Sequence, residues 1–177
     1  MAIVIWDRFV RCFHWLVAAL FLLNYWLLEG GEDLHEWAGY TVAALVTMRI
    51  VWGFVGKGHA RFAEFLPTPS RLRSYLREFP RAHVRYAGHN PLGGLMILFL
   101  LFLLLVVAIS GWMQELDAFW GEDWVQNLHS WGADILQVAV VIHVVAVLVM
   151  QRMTGVALIR TMITGHRNSH KTPDLND

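Results

Sequence analysis

The sequence predicts an all-α protein: an integral membrane four-helix bundle with both termini cytoplasmic. Three observations carry that reading. Of the 177 residues, 56% are hydrophobic and only 16% charged, too little charge to cover a soluble domain of this length. Four apolar runs, near residues 10–28, 37–55, 92–113 and 126–150, each approach the ~20 residues that cross a hydrocarbon core as a helix. The charges are also sorted by side. With four spans, both termini and the 56–91 segment share one side, and all 14 Lys and Arg residues lie there. The other side carries Glu29, Glu32, Asp33, Glu36, Glu115, Asp117, Glu122 and Asp123. Cytoplasmic loops concentrate Lys and Arg, so the basic side is the inner one.

The elements follow in order. The run 10–28 has Arg8 and Arg11 at its start, as a signal peptide would. It is followed by LLEGGEDLHEW rather than a small-residue cleavage site, so it reads as an uncleaved first span. The run 37–55 returns the chain to the basic side. In the inner loop, PSRLRSYLREF (69–79) places Leu72, Tyr75, Leu76 and Phe79 at helical spacing with arginines between them, the pattern of a short interfacial helix on anionic lipid. His89-Asn90-Pro91 opens the third span, with Asn90 as N-cap and Pro91 at the first helical position. The fourth run, 126–150, continues into MTGVALIRTMI (153–163), read as its frayed end. Residues 1–165 thus form a single transmembrane domain, and 166–177 a disordered cytoplasmic tail.

Net charge is zero, so the chain lacks the basic signature of nucleic-acid binding. One cysteine, Cys12, excludes internal disulfides, CxxC metal knuckles and CxxCH haem attachment. Any haem would be held non-covalently.

Histidines at membrane depth point to function, because ionisable groups there are rare. His129 and His143 share the fourth span, 14 residues apart. That spacing puts them ~21 Å apart along the helix and within about 40° of one face. His14 lies near the inner start of the first span and His35 at the outer start of the second. Antiparallel threading therefore sets His14 and His143 in the inner half and His35 and His129 in the outer half. His14 and His35 cannot share a ligand, because 21 helical residues would hold them ~31 Å apart. Two imidazole pairs, one per leaflet, suit two bis-histidine haems, since haem iron takes axial imidazole. Ala18, Gly39, Gly132 with Ala133, and Ala139 with Ala146 stand one turn from the ligands, where small residues admit a macrocycle or ordinary helix packing. Zinc would need more than two ligands at each depth, and a proton relay would need more buried carboxylates than Asp134 alone. His59, His83, His89, His166 and His170 read as solvated surface in inner loops or tails, with His89 also a candidate helix-start contact.

WDRFVRCFHW (6–15), HEWAG (35–39), RIVWG (49–53), HNPLGG (89–94), SGW (110–112) and the His129/His143 pair together resemble the bacterial cytochrome b561 family. That family includes b-type cytochrome subunits of nickel-iron hydrogenases and a small quinone-linked superoxide oxidase. The resemblance covers about residues 6–165. It implies a multi-pass protein of the bacterial inner membrane with two non-covalent b haems, on His14 with His143 and on His35 with His129. These are the pairs that depth gives. It also implies exchange of electrons with membrane quinone, within a respiratory chain, and with a redox partner. Arg8, Arg11, Arg49 and Arg152 stand near the inner haem as candidate propionate partners.

Three functions follow from these expectations. The protein is an electron-transfer module between the quinone pool and a periplasmic redox protein such as a cytochrome c, a superoxide oxidase using quinone as acceptor, or the cytochrome b anchor of a hydrogenase-like dehydrogenase. Capture of the superoxide anion would gain from a positive funnel. The acidic outer loops favour a cationic protein partner instead. A quinone needs an apolar cleft with one or two polar groups, for which the sequence names no residues.

Overall fold

The computed structural model describes residues 2–78 and 88–168. In chain order the elements are β1 (Ala2–Val4), α1 (Arg8–Trp26), α2 (Asp33–Val55), a 3-10 turn at Gly58–Ala60, α3 (Phe62–Phe65), α4 (Pro69–Arg77), α5 (Pro91–Gln114), α6 (Asp123–Thr154), α7 (Leu158–Thr164) and β2 (His166–Asn168). Four of these helices, α1, α2, α5 and α6, are long and apolar enough to cross a membrane. They contain or closely bracket the four runs expected from the sequence.

Side chains set where the helices begin. Asp7 caps α1 by accepting from the Val10 backbone N–H at 2.7 Å, and its second oxygen accepts from Trp52 Nε1 at 2.9 Å. Asn90 caps α5 through the Gly93 N–H at 2.7 Å, with Pro91 next in the chain. These are the roles the sequence assigns to Asn90 and Pro91. Thr68 caps α4, which starts at Pro69. Along α4, Tyr75 is buried, Leu72 half-buried and Leu76 exposed; Phe79 lies outside the described residues.

The end of the chain differs from expectation. The fourth span does not fray through 153–163. It stops at Gly155, whose φ of +67° is the left-handed helix terminus that glycine adopts without steric cost. The chain resumes as α7, and Gly165 ends that helix at φ +81°. The supposed disordered tail then begins with β2, which pairs antiparallel with β1 in the register Ala2↔Asn168, Ile3↔Arg167, Val4↔His166. Gly165 O also accepts from the N–H groups of Ile5 at 2.8 Å and Trp6 at 3.2 Å. Residues 2–4 and 166–168 therefore close the same end of the bundle, the terminal end.

Packing is uneven around the bundle. α5 runs closely along both α6 and α2, and α1 packs on α2. The backbone of α6 lies far closer along α5 than along α1 or α2. The core is built from Val42, Val46 and Leu101, from Leu103, Leu136 and Ala139, and, at the terminal end, from Ile5, Trp6, Val10 and Ala60. Leu22, Phe102, Ile109, Val138 and Ile142 face outward, as lipid-facing side chains do. A Cβ on Gly132 would sit 3.2 Å from Val107 Cγ2, so this glycine serves close approach of α5 and α6. Across the wider α1–α6 gap, Tyr25 donates to Asp134 at 2.8 Å.

Candidate functional site

Two histidine pairs bridge the space that α6 leaves open. His14 on α1 faces His143 on α6, with ring centres 6.4 Å apart and planes at 53°. His35 on α2 faces His129 on α6, with centres 6.2 Å apart and planes at 63°. The fourteen-residue spacing on α6 creates both, since it presents two imidazoles on one face at two depths.

The separations are informative. A metal–imidazole bond of about 2.0 Å plus roughly 1.1 Å from ring nitrogen to ring centre, taken on both sides of an ion, gives about 6.2 Å. Each pair is thus spaced so that its two rings could hold one metal ion between them. Among the described residues no three His, Cys, Asp or Glu side chains converge. A two-ligand site suits a macrocycle that supplies the remaining in-plane nitrogens and not a structural zinc ion.

Hydrogen bonding fits the same use. His129 Nδ1 donates to Val107 O at 2.9 Å and lies 3.3 Å from Ser110 Oγ. That bond fixes the tautomer and leaves Nε2 with a lone pair, as the outer hydrogen bond of a metal-ligating histidine does. Gly111 makes room for the ring, because a Cβ there would lie 3.0 Å from His129 Cε1. Nδ1 of His14 and of His35 are buried without a hydrogen-bond partner, a cost that a folded chain tolerates where a ligand belongs. Of the small residues near the ligands, Gly39 borders open space, with only Asn24 Nδ2 at 4.0 Å from a notional Cβ. Gly132 and Ala139 belong to helix packing instead.

The four candidate arginines are placed differently. Arg49 is buried at 4% exposure, although it is a charged residue on a membrane helix. Its Nη2 donates to Ala60 O at 3.1 Å, its Nη1 is buried without a partner, and its guanidinium lies 5.1 Å from the centre of the Phe62 ring. Arg11 lies against Gly165 and donates to Ile163 O, which ties α1 to α7, while its Nε has no partner. Arg8 and Arg152 are exposed in the first and last turns of α1 and α6.

One residue expected on the solvated surface or as a helix-start contact is half-buried. His89 stacks on Trp6 with ring centres 4.4 Å apart and meets Phe65 edge-on at 5.3 Å. Burial first, then the charges of Arg49, His143, His59 and His14, push its imidazole down to about 3. His59 is half-buried, with its ring beside Gly88 and Trp6. His166 is exposed, as expected; His83 and His170 lie outside the described residues. The sequence signal for His89 is its position just before an N-cap, where a residue commonly packs on the first turn of the helix it precedes.

Comparisons with known proteins give the chain's family. The family model described as prokaryotic cytochrome b561 matches residues 5–165. The chain is 24% identical to a protein of Rhizobium leguminosarum bv. viciae described as a probable Ni/Fe-hydrogenase B-type cytochrome subunit, over 94% of this chain and 89% of that one. A Rhodobacter capsulatus protein of the same description is 24% identical over 94% of this chain and 81% of its own. One from Cupriavidus necator is 30% identical over 75% of this chain and 65% of its own. No solved structure matches the chain.

Proposed function

This chain belongs to the prokaryotic cytochrome b561 family, and we propose that it carries two b haems and passes electrons between membrane quinone and a redox protein at the face opposite its termini. Its family and its four apolar helices make it a multi-pass bacterial membrane protein that binds b-type haem and transfers electrons. In the proposed arrangement His14 and His143 hold one haem and His35 and His129 the other. The observation that carries this is the matched separation of the two pairs, 6.4 and 6.2 Å, on a shared helix.

Haem supplies reversible one-electron chemistry, and six-coordinate iron needs no ligand to leave during transfer. The chain supplies the rest. α6 sets the vertical offset between the pairs, ~21 Å by its rise, and the Val107 carbonyl orients His129. Arg49 offers a buried cation to a propionate at the terminal end, while Arg8, Arg11 and Arg152 add positive charge around it. By the charge asymmetry of the loops, the terminal end faces the cytoplasm and the acidic face the periplasm.

The acidic face selects the partner. Glu32, Asp33, Glu122 and Asp123 are exposed there, and they favour a cationic docking surface over the superoxide anion. A basic cytochrome c meets that requirement. A second reading is supported by the names of the relatives: the partner is then the electron-transfer subunit of a hydrogenase-like dehydrogenase. Titrating the electron-exchange rate against ionic strength tests the docking face. The rate falls steeply as salt screens charges beyond ~8 Å, and neutralising those four carboxylates reproduces the high-salt rate. A salt-independent rate with cytochrome c, alongside fast superoxide turnover, overturns the reading. Affinity purification from native membranes then separates the two partner classes.

A further inference from the structure

We propose that α4 carries a binding site for one anionic phospholipid, with its phosphate held between Arg73 and Arg77 and an acyl chain lying on Leu72 and Leu76. These four residues, with Pro69, line a groove of about 430 Å³, a volume within the range of small-ligand sites. Their spacing explains the groove. Residues three and four apart on a helix are neighbours, so all five share one face. The site uses no residue of the histidine pairs and does not depend on the haem assignment.

Tyr75 sets how that face is turned. It is 2% exposed, and α4 packs on α5, so the Tyr75 side of the helix meets the bundle. At about 100° per residue, the order going round from Tyr75 is Leu72, Leu76, Arg73, Arg77. An apolar strip thus adjoins the bundle and two cations lie beyond it. Leu72 is half-buried, whereas Leu76, Arg73 and Arg77 are exposed. α4 also stands at the right depth, between the end of α2 at Val55 and the start of α5 at Pro91. Both are helices of membrane-crossing length, so α4 lies where lipid meets water, as amphipathic interfacial helices do.

Charge selects an anion. No Asp or Glu lines the groove, and from residue 56 to 91 the sequence carries seven Lys and Arg against Glu64 and Glu78 alone. Arginine forks pair their N–H groups with phosphate oxygens, and Cβ atoms one turn apart are only ~6 Å from each other. Two guanidiniums can therefore close on one phosphate. The leucines select a lipid over a free ion, because an acyl chain takes their apolar surface out of water and inorganic phosphate does not.

Native mass spectrometry of the protein in detergent micelles, titrated with phosphatidylglycerol or phosphatidylcholine, counts bound lipid. One phosphatidylglycerol per chain binds more tightly than phosphatidylcholine. Arg73→Gln with Arg77→Gln raises its Kd roughly 30-fold, the loss of two cations facing an anionic lipid, and Leu76→Gln weakens it as well. Arg61→Gln with Arg71→Gln removes the same charge and has the smaller effect, since Arg71 lies about 160° round the helix from Arg73. All five side chains are exposed, so these variants keep the fold, which helical circular dichroism checks. Equal weakening in the two double variants, or equal retention of the two lipids, overturns the site in favour of diffuse surface charge. Displacement of the lipid by millimolar inorganic phosphate, with no effect of Leu76→Gln, overturns the lipid in favour of a free ion.

Discussion

His35 and His129 face each other at 6.2 Å between ring centres, yet only one of the two is oriented by a hydrogen bond. His129 Nδ1 is fixed on the Val107 carbonyl at 2.9 Å, whereas His35 Nδ1 is buried and unpartnered. His35 is placed through its backbone, whose carbonyl accepts from Asn24 Nδ2 at 3.2 Å. In the other pair His14 Nδ1 is likewise unpartnered. One imidazole of this pair is therefore pre-set by hydrogen bonding, and its mate gains its order when a metal arrives.

Haem stoichiometry is the first consequence. The purified protein contains about two haem b per chain, released by acid acetone because no thioether forms. His143→Ala lowers the haem to protein ratio to about one, and pyridine haemochrome quantification against protein mass measures it. A chain holding a single haem after expression with ample haem refutes the paired assignment.

The support beneath His129 should be sensitive to single atoms. Gly111→Val drives a side chain into the ring and removes the haem of the His35–His129 pair, sparing the other. Ser110→Ala is milder, because the Val107 bond remains. Loss of outer hydrogen-bond partners costs about 10–100-fold in metal-site affinity, so Ser110→Ala falls at or below the low end of that range. Haem-release rates of the two variants distinguish these outcomes.

Redox potential should follow the buried guanidinium. In the proposed arrangement both haems would have the same axial ligation, so the local field separates their potentials. The proposed haem on His14 and His143, toward the end of the bundle where Arg49 is buried, has the higher midpoint. Arg49→Gln lowers that midpoint and leaves the other in place. Potentiometry on variants lacking one haem at a time tests the order, and a His35–His129 haem titrating above its neighbour refutes it.

Tyr25 and Asp134 supply a polar link across the α1–α6 gap. Tyr25→Phe destabilises the bundle by about 0.6 kcal/mol and no more than ~1.7, the range found for hydrogen bonds between membrane helices. Asp134→Asn keeps an acceptor and costs less. Thermal or denaturant unfolding in micelles, monitored by tryptophan fluorescence, gives both values, and a larger loss in Asp134→Asn contradicts the bond.

Much of this architecture was legible in the sequence because membranes impose simple rules. Span length and Asn90-Pro91 located the helices, and the depth of four histidines yielded the two facing pairs seen in the structure. What escaped was long-range and local at once. Gly155 and Gly165 break the last segment by backbone conformation, which hydropathy does not register, so the β1–β2 pairing was read as a tail. For Gly132 the sequence left cofactor room and helix packing both open, and the structure shows packing, with Val107 of a neighbouring helix beside it. His89 was read as surface or a helix-start contact, and its packing against Trp6 and Phe65, from segments remote in sequence, was not legible. Periodicity carries no information about which distant side chain closes over a loop residue.

The joining of residues 2–4 to 166–168 also makes the order of synthesis matter. α1 and α2 leave the ribosome carrying His14 and His35 while both partners, His129 and His143, are still untranslated. Until the last span is inserted, each early helix presents a solitary imidazole with no counterpart across the gap. The strand at residues 2–4 pairs with residues 166–168, so this closure forms only after α6 has been made. Under the proposed ligation, cofactor capture is a late maturation event, because a chain stopped before α6 lacks one imidazole of each pair.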